Sequence, residues 1–217
     1  MGRRAGAGVA ALLHAQRPKF SSGEIMTDFA INPASTALIL IDLQHAIVGR
    51  PLAPLSGPQV VAQSVRLAEA FRARGCAVVY VRVLIDEILK LPADTPTTRP
   101  PDAPPLPANA CELVPEAGVQ AGDVLITKKQ WGAFYGTDLE QQLRRRGIRS
   151  IVMAGIATNF GVESTARQAF DQGFELVFAE DAMTSISEEL HRFSVQHIFP
   201  KMGRVRSTGQ LLQALGK

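Results

Sequence analysis

The sequence predicts an α/β fold, a three-layer, doubly wound, mostly parallel six-stranded sheet with helices on both faces. Three observations predict it. Short apolar runs recur without the polar alternation of a half-exposed strand, as strands buried on both faces require. Between them lie stretches whose apolar residues recur at helical spacing. The two kinds of segment alternate along the chain, which builds parallel strands joined by right-handed crossovers. A chain of 217 residues is long enough for one domain with a sizeable core.

Residues 1–25 are rich in Arg, Ala and Gly, and Glu24 is their only acid. They read as a disordered extension ahead of a domain over 26–217, with a transit peptide, also Arg-rich and acid-poor, as the alternative. Residues 36–43, TALILIDL, form the first buried strand and contain Asp42 near its end. Residues 58–74 form an amphipathic helix: Val61, Val65, Ala68 and Phe71 share a face, Pro58 suits the first turn and Gly75 the stop. Residues 76–83 are the second strand, with Cys76 as a small core residue at its start and Arg82 near its end. Residues 84–121 break the pattern, because eight prolines from Pro92 to Pro115 preclude a long regular element. So long a connection is expected to be a functional lid or an interface arm.

Residues 123–127 make a third strand, ending at Lys128. Thr137 and Glu140 have capping-box spacing, and Leu139 and Leu143 begin the apolar face of the next helix. Arg144, Arg145 and Arg146 complement the dipole at its C-terminus. Residues 150–154 and 174–179 are the fourth and fifth strands. Ser185 and Glu188 have the spacing of a second box, opening a helix with Leu190 and Phe193 on its face. Val205 marks a sixth strand, and Thr208 caps a last helix over 210–215.

The segment 155–167, GIATNFGVESTAR, joins the fourth strand to a helix in which Val162, Thr165, Ala166, Ala169 and Phe170 recur at helical spacing. A strand turning tightly into a helix aims unpaired N–H groups, and the positive end of the helix dipole, at whatever sits above the turn. An oxyanion or a carboxylate suits such a pocket. Asp42, Lys128 and this turn all follow C-terminal strand ends, the edge where open α/β sheets bind ligands. Read alone, an Asp after a strand is more often a cap than a catalyst, and Lys128 and Lys129 read as solvated charges.

The turn resembles the Cys-bearing turn of the isochorismatase-like (cysteine hydrolase) superfamily, whose pattern is roughly G-[IV]-x-T-[DN]-x-C-V-x-x-T-A. Gly161 stands where most members carry the cysteine, and the other positions match closely. Isochorismatases proper, and a bacterial subgroup of unassigned substrate, the YecD type, also carry glycine there. The run 128–140, KKQWGAFYGTDLE, is similar to the YecD type in particular. The resemblance extends from Thr36 to the C-terminus.

The resemblance implies a hydrolase in which Asp42, Lys128 and Gly161 form the catalytic centre, with Lys129 left as the solvated neighbour. It implies that Asp181 supports the turn. It also implies a non-proline cis peptide at Ile156–Ala157, and N–H groups of Ala157 and Gly161 that bind a carboxylate or water. Members with cysteine attack amide or thioester carbonyls through the thiolate. Gly161 cannot do so. Thr158, Ser164 and Thr165 carry nearby hydroxyls, but no histidine lies in the stretch to activate one and no G-x-S-x-G elbow is present. The isochorismatase precedent implies an acid mechanism instead. Asp42 protonates the methylene carbon of an enol ether, water attacks the oxocarbenium carbon, and the ether falls to pyruvate and a diol. Gly161 then leaves room for the substrate. A general acid needs a raised pKa; burial raises that of Asp42 and Lys128 lowers it, and the sequence leaves the balance open.

The expected substrate-binding set is Ile156, Ala157 and Gly161 in the turn, with Gln44, Arg82, Trp131 and Phe134 around it. Arg82 reads either as a clamp for a substrate carboxylate or as a cap or inter-subunit ion-pair residue. Trp131, Phe134 and Tyr135 read as pocket wall, core or dimer contacts. No metal or cofactor is expected, because His14, His45, His191 and His197 lack ligand spacing. His191 and His197 read as surface or subunit-contact residues.

Composition excludes some classes. Arg3, Arg4, Arg17 and Lys19 against Glu24 account for the whole net charge of +3, so the remainder is neutral and argues against a nucleic-acid partner. No apolar run approaches a membrane span. Cys76 and Cys111 make no disulfide framework, which fits a reducing cytoplasm. The topology is Rossmann-like, yet a nucleotide-binding enzyme fails for want of G-x-G-x-x-G after the first strand. The expected partner is a small-molecule substrate, and the resemblance implies a homo-oligomer, dimer or tetramer. The alternative to a hydrolase is a binding protein that kept the pocket and lost its chemistry with the cysteine. A buried charged pair would then be a needless desolvation cost.

Overall fold

The computed structural model describes residues 30–96, 99–100 and 102–216. The extension over 1–25 lies outside the described residues. In chain order the elements are β1 (Thr36–Ile41), α1 (His45–Val48), α2 (Gly57–Ala73), β2 (Ala77–Val83), β3 (Val124–Lys128), α3 (Leu139–Arg145) and β4 (Ser150–Ile156). Then come α4 (Glu163–Asp171), β5 (Glu175–Thr184), α5 (Glu188–Phe193), α6 (Phe199–Met202), β6 (Gly203–Arg206) and α7 (Thr208–Leu215). Six strands form one sheet in the order β3-β2-β1-β4-β5-β6, and every neighbouring pair is parallel.

All residues of β1 are buried, so it can only be a central strand. Its side chains alternate between two cores. Leu38 and Leu40 join the core beneath α2 and α7, with Phe71, Leu67 and Leu211. Ala37, Ile39 and Ile41 join the opposite core, with Leu139 and Leu143 of α3, Ala166 and Ala169 of α4, and Phe199. Phe178 and Phe199 stack there at 4.0 Å. These are the three layers the apolar runs predict. The chain winds outward from β1 through β2 to β3, then returns and winds the other way from β4 to β6. The switch point therefore falls between β1 and β4, where such sheets hold their ligands. Gly155, at φ 114°, permits the close approach of these strands: a Cβ there would sit 2.2 Å from the carbonyl oxygen of Ile41.

Several local expectations change. β5 runs on to Thr184, because after a register shift between Met153 and Gly155 its last residues pair with the end of β4. The Thr137–Glu140 box does not form. Thr137 Oγ1 instead accepts from Leu139 N and donates to Ala133 O. Ser187, not Ser185, caps α5. Leu190 and Phe193 face outward, and His191 is the buried side chain of that helix. Ser207, not Thr208, is the N-cap of α7, in a capping box with Gln210, and Asp181 accepts from Thr208 N and Oγ1 there rather than bracing the turn after β4.

The proline-rich stretch has only short 3-10 turns at Ile85–Glu87 and Pro115–Ala117 among its described residues. Its second half clamps the chain that follows β1: Val114 N donates to Leu43 O, and His45 N to Glu112 O. Among the described residues no helix is long and apolar enough to cross a membrane.

Candidate active site

β1 ends because Asp42 takes a left-handed conformation, φ 53°, which Asp tolerates better than most residues. Its N–H donates to Val81 O, which holds the bend against β2. The carboxyl is thereby turned into the sheet edge and buried. Lys128, the last residue of β3, is buried too, and its Nζ lies 2.8 Å from Asp42 Oδ2. Strand alternation sends Lys129 outward, where it pairs with Glu87. Asp42 Oδ1 is buried without a hydrogen-bond partner. Burial raises the Asp42 pKa above its ordinary value, and the opposing pull of Lys128 is the smaller effect. Because Oδ2 already accepts from an ammonium, Oδ1 is the oxygen left to carry a proton.

Beyond β4 the Ile156–Ala157 peptide is cis. A single π-helical turn, Thr158–Val162, then leads into α4. Gly161 in this turn faces the charged pair. A Cβ built on it would lie 3.1 Å from Asp42 Oδ2, 3.6 Å from Lys128 Nζ and 2.9 Å from Ile41 Cγ2. The missing side chain thus points at the acid. The hydroxyls of Thr158 and Thr165 are engaged elsewhere. Thr158 Oγ1 donates to Thr184 O, and Thr165 Oγ1 donates to Gly161 O while accepting from Ala133 N.

These groups open into a cavity of ≈ 260 Å³. Asp42, Lys128, Trp131, Ile156, Ala157 and Gly161 all line it, so the structure brings these predicted residues together. Trp131 meets Phe160 edge to face at 5.0 Å. Three predicted residues are placed elsewhere. Gln44 is fully buried and engages the backbone of Val83 at both ends, donating to its O and accepting from its N, so it pins the strand end. Arg82 donates to Thr127 Oγ1 and faces Glu112, Leu113 and Val119, away from the cavity. Phe134 packs in the core against Phe174. Residues that the sequence did not single out complete the wall: Ile47, Arg50, Leu52, Ile85, Ile88 and Ile186. The loop carrying Arg50 and Leu52 is held by the Ala53–Ser185 bridge and by Thr184 Oγ1 donating to Leu55 O. Among the described residues no group of three or more His, Cys, Asp or Glu side chains converges.

His191 was expected at the surface but supports the turn from behind. Its Nδ1 lies 2.8 Å from Thr158 Oγ1, whose proton goes to Thr184 O, so Nδ1 donates to the hydroxyl. Burial lowers its pKa. A depressed histidine stabilises the fold above its unfolded pKa of about 6.5, and that contribution is lost as pH falls through the folded value. Thermal melts from pH 8 to 5 are therefore expected to lose stability below about pH 6.5, more in the wild type than in His191→Gln. Parallel curves for the two proteins would remove His191 from this role.

A parallel α/β sheet thus carries a buried acid–ammonium pair at its switch point, in a mostly apolar cavity where position 161 offers no side chain. Residues 36–210 match the Isochorismatase domain, and the chain belongs to the isochorismatase family of hydrolases. It is 48% identical over 189 residues to the isochorismatase family protein YecD of Escherichia coli O157:H7, covering 85% of this chain and 98% of that one. It is 31% identical over 216 residues to the ureidoacrylate amidohydrolase RutB of Methylobacterium radiotolerans, covering 86% and 82%. An isochorismatase family protein of Burkholderia thailandensis, of known structure, superposes with a TM-score of 0.80 at 44% identity, covering 87% of this chain and 98% of that one.

Proposed function

We propose that this hydrolase cleaves a small enol ether, with Asp42 as general acid and then base, Lys128 as its electrostatic partner, and no covalent intermediate. The state of Asp42 carries the reading: buried, held at Oδ2 by Lys128, bare at Oδ1, and raised in pKa. A carboxyl so placed holds a proton where a solvated one would not. The proton passes to the terminal carbon of the C=C bond, and the ether oxygen supplies the electron pair that forms the oxocarbenium ion. Water adds to the oxocarbenium carbon, the one bearing the ether oxygen, and returns a proton to the Asp42 carboxylate. The hemiketal then splits into a ketone and an alcohol, so one water is consumed and Asp42 ends protonated as it began. The space over Gly161, which a thiol would occupy, is left to the substrate. A protein that merely bound its ligand would gain nothing from a bare buried carboxyl oxygen, which is costly. A reducing compartment such as the cytoplasm suits the free thiols of Cys76 and Cys111.

The test is a panel of enol ethers, amides and ureido compounds offered to the wild type and to Gly161→Cys. RutB is an amidohydrolase by name, so amides belong in the panel. Turnover of an enol ether is expected from the wild type alone. In Gly161→Cys the new Cβ must displace the buried Ile41 methyl, and overpacking of this kind costs about 1–3 kcal/mol, to be read by urea denaturation. Amide turnover by the wild type, with no action on enol ethers, would sink the proposal.

A further inference from the structure

The cavity has a second cation with no carboxylate partner among the described residues. Arg50 follows α1 and lines the cavity, and its Nε donates to Ala46 O, which folds the side chain back along the helix. Among the described residues no carboxylate lies within ion-pair distance of its guanidinium. Asp42 is the one acid in the cavity wall, and Lys128 already holds it. The rest of the wall is apolar: Ile47, Leu52, Val83, Ile85, Ile88 and Ile186. A guanidinium anchored through Nε keeps its terminal N–H groups for a planar two-oxygen acceptor. Pockets for drug-sized ligands run to about 300–1,000 Å³, so a cavity of ≈ 260 Å³ takes something smaller.

We propose that Arg50 binds a carboxylate of the substrate at the rim of the cavity, so that the site takes a small acid with an apolar body. This deepens the reading of the cavity as the substrate site and rests on it. The anion is held by Arg50, and the reacting group is delivered to Asp42. The role given to Arg82 in the sequence passes to Arg50, because Arg50 lies on the cavity and Arg82 does not.

Trp131 is the only tryptophan in the chain and lines the cavity, so its emission reports occupancy without any turnover. Pyruvate, benzoate and cinnamate, each beside its own amide, are titrated against the wild type, Arg50→Gln and Arg50→Lys. At least one acid is expected to bind about tenfold or more tightly than its amide, the scale of a charge-assisted hydrogen bond. Arg50→Gln should erase that preference and Arg50→Lys should keep part of it. Arg50 is exposed, and thermal melts of the variants check that the fold survives. Equal binding of acid and amide, a preference that survives Arg50→Gln, or binding by no member of the series each overturns the proposal. The same titration on Asp42→Asn separates the two readings. An Arg50-dependent preference there, with no enol ether turned over by the wild type, removes the mechanism and leaves Arg50 in place.

Discussion

Asp42→Asn is expected to lower kcat by about 10²–10⁴-fold, the range that general acid–base groups supply. The fold should persist. Asn also tolerates the left-handed backbone at φ 53°, and its amide oxygen still accepts from Lys128 Nζ. Circular dichroism and a steady-state assay on an enol ether substrate check the two halves. The substitution should also change how stability depends on pH. The Asp42 pKa is raised on folding, so its contribution is fully present below the ordinary carboxylate value, about 3.9, and is lost as pH rises through the folded value. The wild type should therefore weaken across that window, and Asp42→Asn should weaken less. A variant that keeps its turnover within tenfold would show that another group delivers the proton.

Lys128→Met is expected to be the most damaging single change to stability. Where pH keeps Asp42 ionised, removing its partner from the buried pair typically costs about 3–5 kcal/mol, because the remaining charge is left without compensation. Asp42 can escape by taking up a proton, so the loss should be largest at alkaline pH and smaller under mild acid. The double variant Asp42→Asn/Lys128→Met should recover much of it, since neither charge then remains. Urea denaturation of the four proteins at two pH values gives the coupling directly. Strictly additive losses would mean that the 2.8 Å contact contributes nothing to folding.

The fold was largely legible because it rests on local signals. The unbroken apolar run of β1 and the 3.6-residue pattern of α2 each announce burial without knowledge of any neighbour. Of the site, the parts at strand ends were legible: Asp42, Lys128 and the turn at Gly161 each follow a strand, and the resemblance gave them roles. What failed was decided by contacts distant in sequence. Gln44 has a polar side chain in the right place, but Val83 takes both of its ends. Arg82 and Phe134 carry suitable chemistry on the wrong face of their segments. Nothing local marks Arg50, because its loop is positioned by residues 184 and 185, across the sheet edge. His191 looked like a surface residue because α5 is short and its apolar neighbours, Leu190 and Phe193, suggested the opposite face.

Position 42 answers to two unrelated demands. The reaction proposed here asks for a carboxyl group; the path of the chain asks for a residue at ease with positive φ. Asn and Gly meet the second without the first, and Glu the first without the second. Aspartate alone satisfies both, so neighbouring amino acids offer no gradual route away from it, and a lineage that gives it up forfeits either the acid or the bend.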